Sequence, residues 1–308
     1  MGQYIARRFL QMIPVVIGTT FIIYTMVFAL GDPTAGMCGD RGCPAAVVAE
    51  QRAKYHMDDP LPVAYAKYMG NVVQGDLGES KYNRPIADEL QQRYPITAKL
   101  AVMALIIEGV IGIAAGALAA IRKGGFLDNL VLVSTLAVIS IPVFVTGAMA
   151  QYFLGVQWKL FPVTVPSDPS MYDLLLPAIV LGSLSMAYVA RLTRTNLAEN
   201  LRADYVRTAK AKGLSQRRSI GIHALRNSMI PVLTYIGYDF GALLGGAIIT
   251  ERIFNIQGIG GYIFRSINQR DAFAVVGAVT ALVIVYLIVN LIVDLLYGVL
   301  DPRISHDD

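Results

Sequence analysis

Between residues 191 and 228 an otherwise hydrophobic sequence gathers nine of its 26 Lys and Arg residues: Arg191, Arg194, Arg202, Arg207, Lys210, Lys212, Arg217, Arg218 and Arg226. Only Glu199 and Asp204 oppose them. Apolar runs of spanning length flank the segment, yet its cations cannot lie in hydrocarbon, where each costs about 2.5–3.5 kcal/mol at mid-bilayer. It is therefore expected to be a cytoplasmic loop. Leu197, Leu201, Tyr205 and Ala209 recur every four residues, a spacing that lines one face of a helix, while Arg202, Arg207 and Lys210 point elsewhere. Gly213 is suited to end that helix in a left-handed conformation, and Ser215 to cap a second helix running toward Pro231. The chemistry on offer is recognition. Three uses are open: a solvated basic loop, an anchor to anionic lipid, or a docking lever for a cytoplasmic partner. The apolar stripe argues against the first, and lipid binding does not require the sharp turn after Asp204–Lys212, so the residues favour docking.

A second set of reactive groups is acidic. Glu108, Asp239 and Asp294 fall within apolar runs, where a carboxylate is expensive enough to imply a use. Glu108 and Asp239 are candidates either to line a polar pathway or to pair with a neighbouring helix. Asp294, one turn after Asn290, reads as structural. Cys38 and Cys43, in Cys-Gly-Asp-Arg-Gly-Cys, are a candidate disulfide across a tight turn, the alternative being two free thiols. Without companion histidines they make a poor zinc site, and no metal is expected. No Lys follows a Gly, so the phosphate-cradling Gly-Lys-Ser/Thr core is missing, and neither His-Glu-x-x-His nor Gly-x-Ser-x-Gly occurs. The chain is expected to hold no cofactor and to catalyse nothing itself.

Membrane helices must position these groups. Of the 308 residues 55% are hydrophobic, and the runs 9–30, 100–121, 130–155, 174–190, 229–250 and 272–300 are each long enough, at 1.5 Å per residue, to cross about 30 Å of hydrocarbon. The fourth is the shortest, at 17 residues. The first run, at about 22 residues, exceeds the apolar core of a secretory signal and reads as a permanent helix. The expectation is an all-α integral membrane protein with six transmembrane helices and an extracytoplasmic cap. With the N-terminus inside, inside segments hold 14 Lys and Arg and the two short outside loops hold 4, so both termini face the cytoplasm. The other eight lie in residues 31–99, a loop long enough to cross regardless of charge. The positive-inside bias explains a pI near 9.0 without nucleic acid.

The chain divides into residues 1–99, the first span plus the outside loop, and residues 100–308, the permeation core carrying loop 191–228. In the outside loop Ala45–Met57 and Val63–Val73 read as short helices, Gly75-Asp76-Leu77-Gly78 as a turn, and Pro85 as the start of a helix over Ile86–Tyr94. Pro142 should kink the third span. Gly237, Gly241 and Gly245 stack small residues along the fifth, a packing seam of which Gly112 and Gly116 in the second are a weaker version.

The run Asp204–Gly213 continues as Leu214-Ser215-Gln216-Arg217-Arg218, then His223-Ala224-Leu225-Arg226-Asn227, and ends at Ile230-Pro231. It closely resembles the cytoplasmic loop of the B-type permease subunit of dipeptide and oligopeptide ABC importers, which also include carriers of nickel complexes. The resemblance extends to Gly31-Asp32-Pro33, Gly75 to Ser80, Arg84-Pro85-Ile86, Ser140-Ile141-Pro142, Gly258-Ile259-Gly260, Asn290 to Asp294 and Leu300 to Arg303. Cys38 to Cys43 lies outside it. The general permease loop has Glu-Ala-Ala, three residues, Gly; here Arg207-Thr208-Ala209 precede Gly213, a departure at the first two positions.

The resemblance implies a type I ABC importer permease fold in a prokaryotic cytoplasmic membrane, with the 191–228 loop as coupling helix. ATPase contacts would come from Leu201, Asp204, Tyr205, Arg207, Thr208, Ala209, Lys212 and Gly213. It implies as partners a C-type permease, one fused or two separate ABC ATPase chains that bind ATP and Mg, and an extracytoplasmic substrate-binding protein, with peptide as the family's cargo. The membrane acids alone suggest a proton-coupled secondary transporter instead, but the halves show none of the inverted repeats common in that class. A membrane scaffold is the third reading.

Overall fold

The computed structural model describes residues 2–28, 33–34 and 43–300, and every regular element among them is a helix. In chain order these are α1 (Gly2–Phe28), α2 (Ala45–Lys54), α3 (Leu61–Val73), α4 (Ile86–Ile121), α5 (Phe126–Ser140), α6 (Val143–Ala150, continued by a wider π turn over Gln151–Gln157) and α7 (Met171–Asn200). There follow α8 (Asp204–Ala211), α9 (Gln216–Arg218), a π turn over Ser219–Leu225, α10 (Arg226–Ile253), α11 (Ile259–Asn268) and α12 (Ala272–Leu300). Four helices, α1, α4, α7 and α12, are long and apolar enough to cross a membrane, and the number is six when each of two bent pairs counts as one span.

One bent pair comes from a local conflict. Pro142 has no N–H to give and pushes the residue before it out of the helical region, and Ile141 is extended at φ −102°, ψ 125°. The helix restarts at Val143, and the two halves are bent by 104°, a break far beyond the expected kink. The expected span 174–190 is corrected in the other direction. It is a helix of 30 residues, started by a capping box in which Ser170 and Asp173 exchange hydrogen bonds, and it reaches Asn200. The expected Ile86–Tyr94 helix leads directly into the second span, and the two form one 36-residue helix.

The chain folds into two compact units, Met1–Thr97 with Gln257–Asp308, and Ala98–Ile256. In the first, α1 packs along α12, and α3 is bound to both. The Tyr65 hydroxyl donates to Ile17 O at 3.0 Å and lies 2.7 Å from Thr20 Oγ1, while the Tyr68 hydroxyl donates to Thr280 Oγ1 at 3.0 Å. Tyr24, Ala64, Tyr65 and Val276 form the buried cluster between them. The expected turn is present: Gly75 and Gly78 take φ of 88° and 86°, and Asp76 Oδ1 accepts from Gly78 N at 2.8 Å. Glu79 accepts a hydrogen bond from Lys54, holding that ammonium above its ordinary pKa, and Lys67 holds the Asp59 carboxyl below its ordinary value. Arg8 pairs with Asp294 at 3.1 Å, which gives Asp294 the structural role expected of it.

In the second unit α7 is the centre, packed by α5, α6 and α10. The second span, expected to carry the weaker version of the glycine seam, makes the tight contacts. A Cβ at Gly245 would meet nothing within 4 Å, whereas a Cβ at Gly112 would lie 2.8 Å from Val189 Cγ1, and one at Gly116 would overlap the carbonyl oxygen of Ala190. On α7, a Cβ at Gly182 would come within 3.0 Å of Ala104 O. The α4 and α7 backbones therefore touch through glycines.

Gly116→Ala is expected to force the two helices apart and cost about 1–3 kcal/mol, the usual range for overpacking. Gly245→Ala should be neutral. Thermal unfolding of the two purified variants in detergent checks the contrast.

Candidate functional site

The basic segment begins later than its charge suggests. Arg191 and Arg194 belong to α7, and Arg194 is drawn inward: its Nη2 donates to Asp128 Oδ2 at 2.9 Å and its Nε to Oδ1, while Gly124 N donates to the same carboxylate at 2.8 Å. This pair fixes the start of α5 against α7. The expected single stripe is also corrected. Leu197 lies in α7 and Leu201 follows its last residue. The chain turns over residues 201–203, and Tyr205 and Ala209 lie on the separate helix α8.

On α8 the buried face is Val206 and Ala209, while Tyr205 stands 39% exposed. Val206 joins Ala120, Leu197, Ala198 and Ala224 in one cluster, with Ala117, Leu201 and Leu225 packed around it. That seats α8 on the ends of α4 and α7 and on the π turn before α10. The opposite face carries Asp204, Tyr205, Arg207 and Thr208, all exposed, followed by exposed Lys212 and Gly213. The side chain of Lys210 lies outside the described residues. Gly213 takes φ +83°, and Leu214 N donates to Ala209 O at 3.2 Å, the bond that closes a Schellman turn. Ser215 precedes α9 without a side-chain cap, and the helix does not stop toward Pro231 but runs on past it in α10.

Glu108 on α4 and Asp239 on α10 come together. Glu108 is fully buried and its carboxyl meets no group outside the pair, Asp239 Oδ2 is also buried without an outside partner, and the two side chains are close enough to share a hydrogen bond. Tyr235, Ser185 and Tyr188 complete a polar patch around them. Two acids buried together within a span are costly to keep in their charged forms. Of the remaining candidates, Cys38 lies outside the described residues, as do Gly31, Asp32 and the Asp301–Arg303 end of the motif series. Among the described residues no group of His, Cys, Asp and Glu is arranged to hold a metal ion.

The sequence profile of the binding-protein-dependent transport system inner membrane component family matches residues 112–306, and the profile of its N-terminal region matches residues 1–101. Over 99% of its length the chain is 37% identical to the dipeptide transport system permease protein of Escherichia coli K12, covering 99% of that protein. It is 37% identical to the di/tripeptide transport system permease protein of Pseudomonas aeruginosa and 36% to the dipeptide permease of Bacillus subtilis, covering 99% and 98% of them. The chain belongs to this family of inner membrane transport components. The permease thus has the all-α type I importer fold, works with a substrate-binding protein and an ATPase, and is not itself the hydrolase.

Two features of the permease escaped the sequence reading. Val206 was legible as the partner of Ala209 at i, i+3, but the four-residue spacing from Leu197 ran across a helix break. The Asp128–Arg194 pair had no local signal, because 66 residues separate its members. Val206→Ala should cost about 2 kcal/mol of packing and loosen α8, whereas Tyr205→Ala should not. Limited trypsin digestion of the assembled importer reads this out as faster cleavage after Lys212 and Arg217 in the first variant only.

Proposed function

We propose that this permease imports peptides, sharing its translocation pathway with a C-type permease, and that α8 with the turn at Gly213 docks into the ATPase. The supporting observation is the division of α8 into two faces. Val206 and Ala209 fix it to α4 and α7, with Leu201 packed beside them, and this leaves Asp204, Tyr205, Arg207, Thr208, Lys212 and Gly213 as the surface a partner meets. ATP and Mg would bind to the ATPase partner, whether one fused chain or two. Closure of the ATPase would press on α8, and because α8 is seated on helix ends the push would pass into α4, α7 and α10 as a rigid-body movement.

In this reading residues 1–99 supply the first span and the outer cap, residues 100–308 the core, and both termini face the cytoplasm. The charge bias of 14 inside against 4 in the short outside loops supports the orientation. Glu108 and Asp239 line the pathway, where an ammonium such as a peptide amino terminus would supply the charge the pair lacks. Peptide as cargo draws its support from the names of the relatives, whose full lengths the chain covers.

Gly213→Val removes the residue that tolerates φ +83° and should disrupt the turn at a cost of about 1–2 kcal/mol. Peptide uptake should fall severalfold while the amount of permease in the membrane stays unchanged; normal uptake would count against docking. Arg207→Glu should weaken retention of the ATPase during copurification, and equal retention would remove Arg207 from the contact.

A further inference from the structure

The first unit contains a polar site of its own. A cavity of about 200 Å³ opens between the loop before α4, the first turns of α4, and α11. Arg84, Glu89, Arg93, Tyr262, Arg265 and Asp271 line it. The Arg93 guanidinium lies over the Tyr262 ring, 5.1 Å from its centre, and donates to Glu89 Oε2 at 2.6 Å; Arg84 donates to the other oxygen of Glu89 at 3.3 Å. Asp271 accepts from the backbone N–H groups of Lys81 and Ala274 at 3.0 and 3.1 Å. Both carboxylates are thus already engaged, and Arg265 donates to Gln257 Oε1 at 2.6 Å.

Two buried donors remain unmatched. Arg93 Nε and the Tyr262 hydroxyl are both buried with no hydrogen-bond acceptor, Tyr262 being only 8% exposed. A buried donor without an acceptor is costly, and a cationic surround selects an anionic acceptor. A carboxylate fits: it only accepts, and its two oxygens can take one N–H and one O–H. Arg84 and Tyr82 at the rim are broadly exposed, with the Arg84 side chain at 72% and Tyr82 at 62%, so the mouth presents a face rather than a channel.

We infer that this pocket receives an Asp or Glu side chain of the extracytoplasmic substrate-binding protein, bound by Arg93 Nε and the Tyr262 hydroxyl within the field of Arg84 and Arg265. The docking site rests on the outward orientation proposed above. Charge complementarity of this kind raises association rates and makes them sensitive to salt.

The test uses the complete importer in nanodiscs with its own binding protein. Tyr262→Phe deletes one hydroxyl and keeps the ring under Arg93, and it should weaken binding-protein affinity about tenfold without lowering the melting temperature of the importer, because the lost group had no internal acceptor. Arg265→Gln should flatten the salt dependence of association. Unchanged affinity and salt dependence in both variants overturn the proposal. If affinity holds while uptake falls for peptides with a free carboxyl terminus but not for their amides, the pocket serves the cargo and the docking assignment is wrong. In cells, a Tyr82→Cys variant should gain labelling by an impermeant maleimide from outside, beyond that of the parent chain. Labelling only from inside overturns both orientation and docking; outside labelling with unchanged affinity overturns docking alone.

Discussion

The close approach of α4 and α7 is the constraint on which the rest of the second unit depends. At Gly112 and Gly116 there is no room for a side chain, and Gly182 repeats the condition from the α7 side, so the two helices meet backbone to backbone. In lipid, where apolar side chains gain little by leaving one surrounding for another, contact of this kind supplies the association energy. Its consequence appears where these helices end. Ala117 and Ala120 of α4 and Leu197 and Ala198 of α7 form a joint platform, and Val206 of α8 sits on it. A force applied to α8 therefore acts on both helices at once, because neither can slide without breaking a seam that has no slack.

Buried charge in the same unit is handled in two opposite ways. Asp128 is matched by a two-point contact with Arg194 and by Gly124 N, leaving it fully engaged. Such a pair adds little net stability after desolvation, but removing one partner strands the other, so it works as a register pin between α5 and α7. Glu108 and Asp239 have no such match. Nearby hydroxyls on Tyr235, Tyr188 and Ser185 are neutral and cannot balance two acids.

What was legible in the sequence followed from local rules. Pro142, Gly213 and the Gly75–Gly78 turn all rest on interactions within a few residues, and each appears where local chemistry put it. The misplaced features are those decided by tertiary contact. Hydropathy cut the α7 span at Arg191 because charge marks the end of a span, but Arg194 is neutralised by Asp128 from a distant helix and the helix continues. Four-residue spacing marked the glycines of α10 as a seam, yet spacing cannot say which glycine has a neighbour, and a Cβ at Gly245 would meet nothing within 4 Å. Likewise α11 was hidden, since its apolar face, with Ile259, Tyr262 and Ile263 buried, becomes meaningful only once the cap and α12 are in place.

The departure of this loop from the Glu-Ala-Ala pattern bears on how α8 meets its partner. In place of a leading acid the helix presents Arg207, paired with Asp204 one turn earlier at 3.4 Å, between side chains 78% and 94% exposed. A pair so open to water is worth little, roughly 0.2–1 kcal/mol, and its geometry is easily given up. Arg207 can thus turn from Asp204 to an acidic group on a docking surface at small cost. Tyr205, whose hydroxyl donates to Asn200 at the end of α7, keeps its ring at the surface in a set position. The exposed face of α8 is therefore an aromatic ring held in place beside a cation free to move, a combination suited to a contact that must form firmly and still adjust.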